Sequence, residues 1–203
     1  MKILKKLLGK LIRILYRFVY RFIPCQEKTI LFISFHGRGY SDNPMAIHQY
    51  LSKHSQYADY RCIYAIKNHK QKKLKIENAR IIEYFSIAYF FYLARSKYWI
   101  ANCKLPKYVL KKDSQVYLQT WHGTPLKKLA HDIEVPEGTT FYRSEMSVEE
   151  MRSTYDNDVS KYNYMISPSA FTTEVFQSAF AIERERLIET GYPRNDCLLY
   201  TSD

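Results

Sequence analysis

From Lys28 onward, short apolar runs alternate with stretches whose apolar positions recur every three or four residues. "TILFIS" (29–34), "YRCIYAI" (60–66), "RIIEYF" (80–85), "YWIAN" (98–102), "VYLQTW" (116–121) and "RLIETG" (186–191) are rich in β-branched and aromatic residues and read as strands. "NPMAIHQYLSK" (43–53) reads as a helix with Asn43 as its cap and Pro44 at its first position. "SIAYFFYLARSK" (86–97) and "SPSAFTTEVFQSAF" (167–180) read as further helices, and the polar segment 134–160 as loop and short helix. Strands alternating with helices imply βαβ units and a parallel, Rossmann-like α/β sheet.

The first 24 residues follow another pattern. In "MKILKKLLGKLIRILYRFVYRFIP" a basic residue recurs at 2, 6, 10, 13, 17 and 21, so no apolar run is long enough for a secretory core or a spanning helix. On a helical wheel these cations share one side, and Leu4, Leu7, Leu11, Ile14, Leu15, Phe18 and Phe22 fill the other. Residues 1–24 are therefore expected to form a helix lying on an anionic membrane surface, ended by Pro24. A helix packed on the protein's own core and a nucleic-acid arm are the competing readings. The second is disfavoured by the broad Leu/Ile/Phe face, so nucleic acid is not expected as a partner.

Charge sharpens this division. The 203 residues carry a net +11, of which the seven Lys/Arg and no acid of residues 1–23 supply +7. The rest is only mildly basic. With 46% apolar residues, 19 Tyr and 11 Phe, the chain can build one sizeable core and is not a disordered polyelectrolyte. Cys25, Cys62, Cys103 and Cys197 show neither CxxC nor paired Cys/His spacing. A disulfide scaffold and a zinc site are not expected, a reducing compartment is, and no metal is assigned.

In an open parallel sheet, ligands bind beyond the carboxyl ends of the strands. That rule selects "HGRGYSDNP", "WHGTP" and "GYPRND". In the first, Gly39 would let backbone approach a ligand and Arg38 offers a planar fork for phosphate. Asp42 and Asn43 join them as ligand contacts, unless the loop is simply a tight turn with capping groups. In the second, Thr124 and Pro125 look like the cap and first residue of a helix, which would set His122 at a positive dipole end. An imidazole held neutral there is suited to accept a proton, with Gly123 and Thr124 beside the substrate and Lys127 near a phosphate. A histidine that only braces the loop is the alternative, and His36 is the rival histidine. In the third, Arg194 either meets substrate or braces Asp196. HExxH and GxSxG motifs do not occur.

"GRGYSDNPMAIHQYL", "LARSKYWIANCKLPKY", "YLQTWHGTPLKKLAHDI", "SPSAFTTEVFQSAF" and "TGYPRNDCLL" together resemble the CDP-glycerol glycerophosphotransferase family, the teichoic-acid primases and polymerases of Gram-positive bacteria. The resemblance implies a GT-B-type fold of two Rossmann-like domains facing a cleft, with residues 27–203 as the first, acceptor-side domain. It implies transfer of glycerol phosphate from CDP-glycerol to a hydroxyl of a lipid-linked polyol-phosphate acceptor, with release of CMP. The enzyme would be peripheral on the cytoplasmic face of the cell membrane, would use no cofactor, and would have His122 as its base. The family's donor domain, which carries most of the CDP-glycerol site, is not among these residues, so the isolated chain is expected to be inactive. A GT-B glycosyltransferase using a nucleotide sugar and a non-catalytic polymer-binding module are the alternatives.

Overall fold

A computed structural model describes residues 2–134 and 146–200. Seven strands form one fully parallel sheet: β1 (Gln26–Ile33), β2 (Arg61–Ile66), β3 (Ala79–Glu83), β4 (Ser96–Ala101), β5 (Val116–Gln119), β6 (Tyr164–Ser167) and β7 (Leu187–Glu189). Their spatial order is β3-β2-β1-β4-β5-β6-β7. The chain winds outward from β1 in one direction, returns, and winds outward from β4 in the other.

Alternation along each strand divides the core between two faces. Leu31, Ile33, Ile63, Ala65, Trp99, Ala101 and Tyr117 lie on one, under α3 (Ile87–Arg95), α4 (Val148–Val159) and α5 (Ala170–Phe180). Ile30, Phe32, Cys62, Tyr64, Ile66 and Ile100 lie on the other, under α2 (Asp42–Lys53). Residues buried on both faces explain why these strands read as continuous apolar runs.

The α/β expectation and its parallel sheet are what the chain adopts, with local corrections. The expected helix over 167–180 begins only at Ala170, where the Ser169 side chain accepts from the Thr172 amide as cap. The residues before it form β6, a strand of four residues too short to show a period. Within 134–160, Val148–Val159 is a full helix of 12 residues, opened by a capping box between Ser147 and Glu150. Residues 135–145 of that segment lie outside the described residues.

Helix α1 spans Lys2–Val19. It touches the body along one edge. Tyr16 is buried, its hydroxyl donates to the Leu110 carbonyl at 3.0 Å, and the Arg13 guanidinium sits 5.4 Å from the Tyr108 ring. Leu11, Ile14, Leu15, Phe18 and Phe22 point away from the body, 57–74% exposed. Among the described residues no helix is long and apolar enough to cross a membrane.

Candidate active site

The strand order reverses between β1 and β4, and the crevice above that switch point is where a doubly wound sheet binds ligands. The two loops there are stitched together. The Phe35 amide donates to the Asn102 side-chain oxygen at 2.8 Å, and the His36 amide to Cys103 Sγ at 3.1 Å. The backbone is forced to achieve this, since Phe35, His36, Asp42 and Trp121 all have positive φ, between 43° and 63°. Each such residue costs of order 1–3 kcal/mol, and such strain persists only where surrounding contacts hold it. Gly37, at φ +80°, lies so close to Tyr84 that a Cβ would stand 2.7 Å from the Cβ and Cγ of that tyrosine.

His122 is exposed at the end of β5, its ring stacked on Trp121 (centroids 4.6 Å apart) and edge-on to Phe35 at 5.7 Å. Its Nδ1 lies 2.6 Å from the Asn102 carbonyl oxygen. A carbonyl can only accept, so Nδ1 carries the proton and the lone pair of the neutral ring is on Nε2. That orientation leaves a proton acceptor at the rim of the crevice.

A buried pair of residues fixes the surrounding loops. Asp42 accepts from Asn102 Nδ2 at 2.5 Å and forms an ion pair with Arg194, whose guanidinium also donates to the His122 carbonyl at 3.0 Å. Asn43, fully buried, donates to the Thr120 and Trp121 carbonyls at 3.2 and 3.1 Å and accepts from the Arg194 amide at 3.2 Å. The loops after β1, β4, β5 and β7 thus converge on Asp42 and Asn43.

Several sequence expectations change here. Asn43 is not a cap: the helix cap position is Ser41, and the Asn43 amide is spent on the β5 loop. Arg194 braces Asp42, not Asp196, and the Asp42 carboxylate, 6% exposed, presents little surface to a substrate. No helix follows Thr124 and Pro125. The chain runs in bends to a short turn at Ala130–Asp132, so the expected helix dipole after Thr124 is not there to act on His122. The tautomer set by Asn102 replaces that argument. Arg38, Thr124 and Lys127 are exposed at the rim, and a Cβ at Gly39 or Gly123 would meet nothing within 4 Å. These residues border open space without being drawn to one point. Among the described residues no group of three His, Cys, Asp or Glu is placed to hold a metal ion.

Residues 14–203 match the family described as CDP-Glycerol:Poly(glycerophosphate) glycerophosphotransferase. The chain belongs to this family. It is 40% identical over 174 residues to a teichoic acid poly(glycerol phosphate) polymerase of Staphylococcus epidermidis, covering 85% of this chain and 23% of that protein. It is 39% identical over 179 residues to the polymerase of the same name from Bacillus spizizenii, covering 87% and 43%. A solved structure of the wall teichoic acid polymerase TagF, a histidine-to-asparagine variant soaked with CDPG, superposes with a TM-score of 0.83 at 36% identity, covering 92% of this chain and 44% of that one. The chain therefore spans less than half the length of these relatives. The placement as one Rossmann-like half of a GT-B-type fold stands.

Within the region shared with this family, sequence reading overlooked Asn102 and the residues beneath it. Asn102 is completely buried and holds Phe35, Asp42 and His122 at once. Its position as the last residue of a strand was visible. That this strand lies beside β1, at the switch point, was not. Below, the buried Asp158 carboxylate accepts from the Leu105 amide at 3.0 Å and the Tyr162 hydroxyl at 2.5 Å, anchoring the segment that carries Asn102. Nothing in its polar sequence surroundings marked that residue.

Proposed function

We propose that this chain is the acceptor-side half of an enzyme transferring glycerol phosphate from CDP-glycerol to a hydroxyl of a membrane-linked teichoic-acid acceptor. The observation that carries this reading is the Nδ1–H···O=C bond from His122 to Asn102, which leaves Nε2 as proton acceptor at the switch-point crevice. The acceptor hydroxyl would attack the glycerol-bearing phosphorus of the donor. An oxygen–phosphorus bond forms, the diphosphate linkage breaks, CMP leaves, and the hydroxyl proton passes to Nε2. Arg38 and Lys127 would face the transferred phosphoryl group as cations, and Gly39, Gly123 and Thr124 would border the incoming alcohol. Most contacts to the nucleotide would come from the other half of the enzyme. CDPG soaked into a TagF variant supports the choice of donor.

The test is CMP release from CDP-glycerol by the full-length enzyme carrying His122→Asn. Loss of a general base is expected to slow turnover about 10²–10⁴-fold with little change in KM. Unchanged turnover would assign the base elsewhere, and release of UDP from a nucleotide sugar would change the reaction class. The 203 residues alone are expected not to turn over.

The same proposal places the enzyme peripherally on the cytoplasmic face of the membrane through α1. Leu11, Ile14, Leu15, Phe18 and Phe22 form an unpacked apolar face, bordered by Lys10, Arg13, Arg17 and Arg21. An apolar side chain of this size gains about 1.5–3 kcal/mol on full removal from water, so the face favours an acyl boundary and the cations favour anionic headgroups. Flotation with phosphatidylglycerol vesicles should recover the protein. Leu15→Asp/Phe18→Asp should abolish that recovery, and equal recovery on uncharged vesicles would sink the electrostatic part.

A further inference from the structure

A second cationic feature lies apart from α1. The loop after β2 carries Lys67, Lys70, Lys72, Lys73 and Lys75 within nine residues and no acid. It is fastened to the β1 loop at the C-terminal edge of the sheet. The Lys67 amide donates to the Gly37 carbonyl at 2.7 Å, and Lys72 Nζ to the Arg38 carbonyl at 2.7 Å. Glu77 follows two residues after Lys75 as one acid of the same loop, and Glu83 in β3 is already engaged by the Asn68 amide at 2.7 Å and by His69 Nδ1 at 3.0 Å. The positive field reaches toward the crevice. Partial burial first, then the charges of Lys67, Arg38 and Lys104 together with His122, hold the His36 imidazole below its ordinary value. A rim this rich in unmatched cations stabilises a bound polyanion.

We infer that this rim, from the Lys67–Lys75 loop across Arg38 to His122, is a track for the phosphodiester backbone of a polyol-phosphate acceptor chain. The inference rests on the reading of His122 as the site where the acceptor hydroxyl reacts. β2, β1, β4 and β5 are consecutive in the sheet, so their loops stand in line and the track spans three strand spacings, about 14 Å. A glycerol phosphate repeat joined through its terminal carbons has six backbone bonds and extends at most about 7 Å. A chain whose end hydroxyl meets His122 would then lay about two of its phosphates along the cationic rim. A compact diphosphate donor reaching His122 has no use for lysines three strands away.

The test is binding of lipid-free poly(glycerol phosphate) to the whole chain without donor, so the outcome does not depend on whether His122 is the base. Lys70→Glu/Lys73→Glu, which leaves the Lys72 and Lys67 bonds in place, should weaken binding about tenfold or more at low salt, with the loss shrinking as salt is raised. Lys53→Glu/Arg61→Glu, at exposed positions on the opposite, N-terminal edge of the sheet, changes net charge equally and should leave binding unchanged. The inference is overturned if the loop variant binds like the unaltered chain, or if the two variants weaken binding alike. It is also overturned if duplex DNA of equal charge binds as tightly with the same loss in the loop variant, which would make the rim a general polyanion surface.

Discussion

The buried carboxyl of Asp158 gives the sharpest quantitative test of how the loop beneath the crevice is held. Only 1% of the residue is exposed. Burial raises its pKa from 3.8 to about 6, against the opposing pull of its bonds from Tyr162 and Leu105 and the charges of Lys161 and Lys104. Below the unfolded value the group is protonated in both states and contributes no difference. As pH rises, the unfolded chain ionises first while the folded protein keeps the proton, so stability falls until the folded pKa is passed. Above it the full cost stands, about 3 kcal/mol. Asp158→Asn removes this titration, at the loss of one acceptor for Tyr162. Other groups titrate in the same range, so the diagnostic quantity is the difference between the two proteins, from urea unfolding at several pH values. Between pH 4.5 and 7.5 that difference should move by about 2 kcal/mol in favour of the variant. A difference independent of pH would refute the reasoning. It would mean that the Leu105 and Tyr162 bonds, with Lys104 and Lys161, fully compensate the buried charge.

Two further substitutions test the brace and the turn. Asn43→Ala removes three hydrogen bonds from a fully buried position, taking the Asn43 donor from the Thr120 carbonyl and leaving the Trp121 carbonyl with the Thr120 hydroxyl, so it should destabilise by about 2–4 kcal/mol in chemical unfolding; a loss under about 1 would show that these loops hold without it. Gly37→Ala should cost about 2–4 kcal/mol, because its φ of +80° and the Tyr84 ring both oppose a Cβ, while Gly39→Ala, with open space around it, should stay within about 0.5. Equal melting of the two alanine variants would contradict that geometry.

Much of this architecture was legible because period carries it. Leu31 and Phe32, buried on opposite faces, require a strand covered on both sides, and their run of apolar neighbours shows that without coordinates. β6 escaped notice because four residues contain too little periodic information, and the cap at Ser169 explains why the serine-rich segment before α5 looked helical. Thr124 and Pro125 carried a correct helix-start signal in a place where the chain continues in bends. A cap residue states only that a helix could begin there, and the contacts that would sustain one lie elsewhere in the chain.

The sequence by itself settled the class of fold, the family, the basic amphipathic character of residues 1–24 and the prominence of His122, since each depends on residue type and on neighbours within one element. Only the tertiary structure decided what those residues do to one another. Asn102 holds the His122 ring, Arg194 meets Asp42 in place of Asp196, and α1 keeps a single edge on the body while its apolar face turns outward. These outcomes follow from strand order. Placing β4 between β1 and β5 brings together residues 20 to 152 positions apart, and no local pattern encodes which distant partner will stand opposite.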